Sequence, residues 1–118
     1  MIHHHAVIAT TWSKEAAAAM ADWLHENAPE DQVTALDSQL GVYTVILGPD
    51  GSKEGWPPSD AGDVLRTKFI SELTRFDHED GSSPFHWVEV GYGECGMKVV
   101  HGNCQNCYGD SEYHNILK

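Results

Sequence analysis

The chain opens on residues 1–10, MIHHHAVIAT, an apolar run in which three adjacent histidines supply most of the polar positions. Its β-branched and apolar content predicts a β-strand, which we expect at the centre of the sheet. Because neighbouring side chains of a strand point to opposite faces, His3 and His5 share one face with Val7, and His4 takes the other. At least one imidazole is therefore expected near the core.

Two later segments carry apolar residues at helical spacing. Ser13 can cap the first helix, predicted over residues 14–27, and an Ala-Pro pair ends it, because the residue before proline is pushed out of helical geometry. Ser59 or Asp60 can cap the second helix, which follows a loop through two adjacent prolines and is predicted to end near residue 76. β-branched and aromatic runs predict the remaining strands, over residues 33–37, 42–47, 85–92 and 97–101.

The order of these elements predicts one α+β domain over residues 1–118. A ferredoxin-like β-α-β-β-α-β core is expected, extended by an added C-terminal β-hairpin strand, with an irregular cysteine-containing tail over residues 102–118. In that plan the first strand lies beside the strand at residues 85–92, and both helices cover one face of the sheet. The open face is then the functional surface or the interface of a dimer.

The balance of charge is strongly acidic. The 18 acidic and 7 basic residues give a formal net charge of −11, which argues against binding to a nucleic-acid backbone or an anionic membrane and favours a basic partner. No cation occurs between Arg75 and Lys98. This interval is either a solvated, solubilising surface or one that docks on a basic protein or imitates nucleic acid. Its acidic residues are Asp77, Glu79, Asp80, Glu89 and Glu94.

The compartment is expected to be reducing. Three cysteines cannot all pair within one chain, and the first residues lack the cationic and apolar regions of a secretory signal. No apolar run approaches the roughly 20 residues that span a bilayer. We therefore expect a cytoplasmic protein. The N-terminal histidines are taken as native, although a remnant of an expression tag is the alternative.

The tail contains Cys104 and Cys107 at the CxxC spacing that lets two thiolates bind one zinc ion. Cys95, His101 and His114 are candidates to complete a tetrahedral site. Free or locally packed cysteines are the alternative, and a redox pair fits less well because no strand-to-helix junction precedes the motif.

The histidines at the start of the chain suggest a second kind of site. His3, His5 and His86 could bind a metal ion or supply a general base, since imidazole serves both roles near neutral pH. Packing in the core or at an interface is the simpler explanation. The segment GPDGSKEG lacks the GxxxxGK[ST] pattern of a phosphate-binding loop, and the chain contains no complete catalytic motif.

The phrases GPDGSKEGWP, DGSSPFHWVEVGYGE and GNCQNCY resemble small acidic proteins of tailed bacteriophages. The resemblance implies an accessory protein that acts in the bacterial host cell as an inhibitor of an enzyme or immune system, a sponge for a signalling nucleotide, or an anti-restriction protein. It assigns no functional residue.

A non-enzymatic acidic binding protein that inhibits or sequesters a host defence protein or signalling molecule is therefore expected, with a homodimer as its form. One alternative is an enzyme-like dimeric α+β barrel that binds a small molecule or metal through His3, His5 and His86. The other alternative is an adaptor stapled by zinc through Cys104 and Cys107.

Overall fold

The structure, a computed structural model, describes residues 3–37, 40–49, 57–93 and 96–103. These residues form two α-helices, five β-strands and a short 3₁₀ turn at Glu30–Gln32. In chain order the elements are β1 (His3–Thr11), α1 (Lys14–Asn27), β2 (Val33–Asp37), β3 (Tyr43–Leu47), α2 (Pro57–Thr74), β4 (Phe85–Gly93) and β5 (Gly96–Gly102).

The strands form one antiparallel sheet in the order β2-β3-β1-β4-β5. β1 lies at its centre, between β3 and β4, so the predicted α+β class and the central position of the first strand are confirmed. The predicted hairpin of β2 and β3 is also present, with Val33 opposite Leu47. The observed order is compatible with a ferredoxin-like arrangement to which β5 has been added at the edge.

The first helix has the predicted bounds because its ends are encoded locally. The side chain of Ser13 accepts a hydrogen bond from the N–H of Ala16 at 3.2 Å, which satisfies one of the free donors in the first turn. Ala28 leaves helical geometry with φ −121° and ψ 153°, as expected for a residue that precedes proline. Glu15 adds a favourable negative charge to the first turn.

The second helix begins earlier than predicted. Its first two residues are Pro57 and Pro58, for which the sequence predicts a loop, and its last residue is Thr74 rather than Phe76. Proline is tolerated in the first turn because the N–H groups there have no partner within the helix. Neither described helix is both long enough and apolar enough to cross a membrane.

The core lies on the sheet face that the two helices cover. The β1 residues Val7 and Ala9 are fully buried, as alternation predicts. Their neighbours across the sheet are also buried, because residues opposite each other on antiparallel strands share a face. The other fully buried large side chains are Met20, Leu24, Val45, Leu47, Phe69, Leu73 and Phe85.

This packing predicts which leucine side chains contribute to the free energy of unfolding. Leu24 has no exposed surface in α1, whereas Leu40, at the turn between β2 and β3, is 84% exposed. Leu24→Ala should lower the free energy of unfolding by about 2 to 5 kcal/mol through lost burial and a cavity. The matched Leu40→Ala change should stay within about 0.5 kcal/mol. Denaturant titration measures both, and equal losses would contradict the core as described.

Candidate functional site

A group of ionisable side chains surrounds Glu89 on the helix-covered face of β4. We call Glu89, Arg66, Asp63, His5 and His101 the Glu89 cluster. Glu89 is buried, and the Nε of Arg66 lies 3.4 Å from its Oε2 atom. The guanidinium of Arg66 also donates to the Oδ1 of Asp63, one turn earlier in α2.

Two imidazoles flank the same carboxylate from the neighbouring strands. The Nδ1 of His101 on β5 lies 3.4 Å from Oε1 of Glu89, and the Nδ1 of His5 on β1 lies 3.9 Å from Oε2. The ring of His101 also meets the indole of Trp87 edge-on, with centroids 5.3 Å apart. Strands β1, β4 and β5 and helix α2 therefore all contribute to this cluster.

Room for His5 is made by a glycine in the next strand. Gly91 is opposite His5 in the pairing of β1 with β4. A Cβ atom at position 91 would lie only 3.2 Å from the Cε1 atom of His5. The ring thus packs against bare backbone, and a larger residue at this position would displace it.

The chemistry of the Glu89 cluster is first of all that of a buried ion pair. A carboxylate removed from water is tolerated only where an opposite charge compensates it, and the guanidinium of Arg66 supplies that charge. Within the described residues no group of three or more histidine, cysteine, aspartate or glutamate side chains is arranged to hold a metal ion. The arrangement therefore joins α2 to the sheet.

The opposite face of the sheet is covered by neither helix. Its polar members are uncharged threonines together with His4 and His86, and the rings of His4 and Tyr92 lie 5.2 Å apart. Leu36, Met97 and Val99 are 58%, 88% and 66% exposed. We call this surface the open face. Strand pairing assigns to it the apolar residues Ala6, Ile8, Leu36, Ile46, Val88, Val90, Tyr92, Met97 and Val99. Its polar residues are His4, Thr10, Thr34, Thr44 and His86.

The described part of the open face carries no aspartate, glutamate, lysine or arginine. Glu89 points to the other side of β4, and Lys98, opposite Gly91, has the parity of the helix-covered face. The chain has a net charge of −11, so its acidic residues lie outside the described open face.

The loop between α2 and β4 presents the acidic residues predicted to contact a partner. Asp77, Glu79 and Asp80 are all exposed there. The Oδ1 of Asp80 accepts hydrogen bonds from the hydroxyl of Ser82 at 2.6 Å and from its N–H at 2.9 Å. These bonds stabilise the carboxylate and lower the pKa of Asp80 below its ordinary value, with the hydroxyl as the main cause. The loop thus holds one carboxylate in a fixed, ionised position.

The three histidines proposed as one site are not brought together. His86 pairs with Thr10, five residues along β1 from His5 and on the open face, whereas His5 lies on the helix-covered face. Five strand residues span about 16 Å, so no common ligand is within reach. His86 instead lines an open cleft of about 530 Å³ beside Trp12. His3 belongs to the first residues of β1, opposite Gly93.

The remaining predicted site residues divide into two groups. Glu89, expected on an acidic surface, is buried because it is in phase with Phe85 and Trp87 along β4. His101, a candidate zinc ligand, contacts Glu89 instead. Outside the described residues lie Glu94 and the other candidate zinc ligands, Cys95, Cys104, Cys107 and His114. The zinc hypothesis therefore stays a prediction.

Sequence reasoning missed Arg66 as a buried partner of Glu89. The signal was present in the spacing, because Arg66 precedes Phe69 by three residues and so falls on the buried stripe of α2. A cation on the apolar stripe of a helix, read together with a carboxylate on the apolar phase of a strand, predicts a buried pair.

Comparison with known proteins gave no relatives: no family model, no curated protein and no solved structure matches the chain.

The burial of the Glu89 cluster predicts that removing the charge of Glu89 strongly destabilises the fold. Glu89→Gln keeps the shape of the side chain but leaves the buried guanidinium with Asp63 alone, so the free energy of unfolding should fall by about 3 kcal/mol. Glu72→Gln is the matched control, because Glu72 pairs with Arg75, whose side chain is 74% exposed. That change should cost less than about 1 kcal/mol. Denaturant titration of both variants measures the difference, and equal costs would contradict a buried pair.

The lowered pKa of Asp80 gives a second prediction. Because the folded protein favours the ionised form, the two hydrogen bonds stabilise the loop above the ordinary aspartate range, and this stabilisation is lost as pH falls through the lowered pKa. Ser82→Ala should raise the pKa of Asp80 toward its ordinary value. Ser83→Ala should leave it unchanged, because the Ser83 hydroxyl accepts from the N–H of Phe85 instead. NMR titration of the Asp80 carboxyl carbon checks both, and an identical pKa in the Ser82 variant would refute the assigned cause.

Proposed function

We propose that the chain is a non-enzymatic acidic binding protein, of the kind that tailed phages encode, that docks on a basic surface of a protein in the bacterial cytoplasm. The observation that carries this proposal is the loop between α2 and β4. Its carboxylates at Asp77, Glu79 and Asp80 are exposed, and none of the ion pairs within the described residues involves them. Exposed carboxylates that form no ion pair within the protein can attract a positively charged surface.

The scaffold that we propose for this function is a ferredoxin-like core with β5 as an extra edge strand. The strand order β2-β3-β1-β4 and the two helices on one face support it. In such a scaffold the acidic loop enters β4 directly, so the loop is anchored by a strand that lies next to the centre of the sheet. A rigid anchor lowers the entropy that the loop loses when it binds.

A basic protein fits the charges better than an anionic small molecule does. The only arginines of the chain, Arg66 and Arg75, already pair with carboxylates. The lysines among the described residues, Lys14, Lys68 and Lys98, lie on three different elements and do not form a cluster. A nucleotide or other phosphate ligand would need cations that are free to contact it. The excess of acidic over basic residues would in addition repel a nucleic acid. We therefore propose inhibition by docking on a protein rather than sequestration of a signalling nucleotide.

The proposal predicts salt-sensitive capture of a basic protein. The immobilised full chain should capture a protein from bacterial lysate whose binding weakens at least about tenfold as salt rises from about 0.05 to 0.5 M, because screening removes the attraction. Replacing Asp77, Glu79 and Asp80 by their amides should weaken capture comparably at low salt.

The matched control changes three other exposed carboxylates, those of Glu30, Asp31 and Asp37, to amides. It alters the net charge by the same amount, so an effect specific to the loop must be larger in the first variant. Capture that is insensitive to salt, or equally weakened in both variants, would refute docking through the loop between α2 and β4.

A further inference from the structure

The open face remains uncovered by the described elements, and its composition indicates what covers it. Alternation places apolar side chains from all five strands on this face, and the most exposed of them lie on β5 and β2. A single apolar residue at a protein surface is ordinary, whereas a contiguous patch of several hundred Å² marks an interaction site.

We propose that the open face is the interface of a homodimer, in which two copies of the chain pack their sheets face to face. The two copies would meet about a twofold axis, so the same residues would serve on both sides. Face-to-face packing of two sheets at about 10 Å is a common way to bury such surfaces. This inference is independent of the basic partner proposed above.

The charges favour a second copy over that basic partner. A protein with a basic surface needs carboxylates opposite its lysines and arginines, and the described open face offers none. Two copies of a chain with a net charge of −11 repel one another except where the contact is uncharged. The described open face carries no carboxylate, ammonium or guanidinium group, and the acidic loop and the Glu89 cluster lie elsewhere.

The area is sufficient for a dimer. Five strands spaced at about 4.8 Å give a width of about 24 Å, and their mean of about 7 residues gives a length of about 23 Å. The projected area is thus about 550 Å² for each copy, or about 1,100 Å² buried in total, above the roughly 1,000 Å² expected of a specific interface. Side chains that stand out from the sheet, such as Met97 and Tyr92, increase the accessible area beyond this projection.

Dimerisation and docking should respond to salt in opposite directions. Screening weakens the repulsion between two acidic copies, so self-association through uncharged surfaces should strengthen as salt rises. Attraction between the acidic loop and a basic partner should weaken over the same range. The direction of the salt dependence therefore shows which of the two proposals has failed.

The test is sedimentation of the full chain in the presence of a reductant, which excludes disulfide-linked dimers. Between about 1 and 100 μM the wild-type chain should shift from monomer to dimer, and more completely at about 0.5 M than at about 0.05 M salt. Val90→Lys should raise the dissociation constant at least about 100-fold, because each copy would bury an unpaired ammonium group. Val64→Lys, on the exposed side of α2 at 54% exposure, is the matched control and should change it less than about threefold.

Circular dichroism shows whether each variant is folded. If Val90→Lys fails to fold, Val99→Lys takes its place, because Val99 pairs with Val90 on the same face and is 66% exposed in the single chain. The inference is supported if Val90→Lys and Val99→Lys dissociate the dimer and Val64→Lys does not. A chain that stays monomeric to about 100 μM, or a dimer indifferent to the open-face lysines, would overturn it.

Discussion

The pairing of β1 with β3 and β4 is the constraint on which the rest of the structure depends. A central strand must satisfy hydrogen bonds on both sides, and its alternation then fixes two different environments for its side chains. On one face Val7 and Ala9 are buried beneath the helices. On the other, Ala6 and Ile8 belong to the open face. A shift of one residue would exchange these two sets, so the register of β1 determines which face the helices cover.

The division between faces also organises the charges. The buried carboxylate of Glu89 lies on the covered face, where an arginine from α2 can reach it, and the exposed carboxylates lie in the loop before β4. The buried ion pair therefore lies on the same face as the apolar core, whereas the carboxylates of the loop before β4 remain exposed. Under the two proposals above, a dimer would present two acidic loops, which increases avidity for a partner that can contact both.

Much of the fold follows from local sequence, whereas the candidate site does not. The bounds of α1 are predictable because Ser13 and the Ala-Pro pair act within one turn of the helix. The predicted start of α2 is too late because two adjacent prolines suggest a loop, although they suit a first helical turn. The Glu89 cluster depends on contacts between α2, β1, β4 and β5. Such long-range contacts appear only when the registers of all four elements are known.

The β-bulge in β5 determines how the sheet can grow. Glu89 is opposite His101 while Val90 is opposite Val99, so Val100 is an extra residue on the edge strand. A bulge twists the edge and interrupts its regular row of hydrogen-bonding groups, and Lys98 adds a charge close by. Both features oppose the addition of a sixth strand from another molecule. An edge of this kind is poorly suited to the strand-by-strand addition that builds amyloid fibrils.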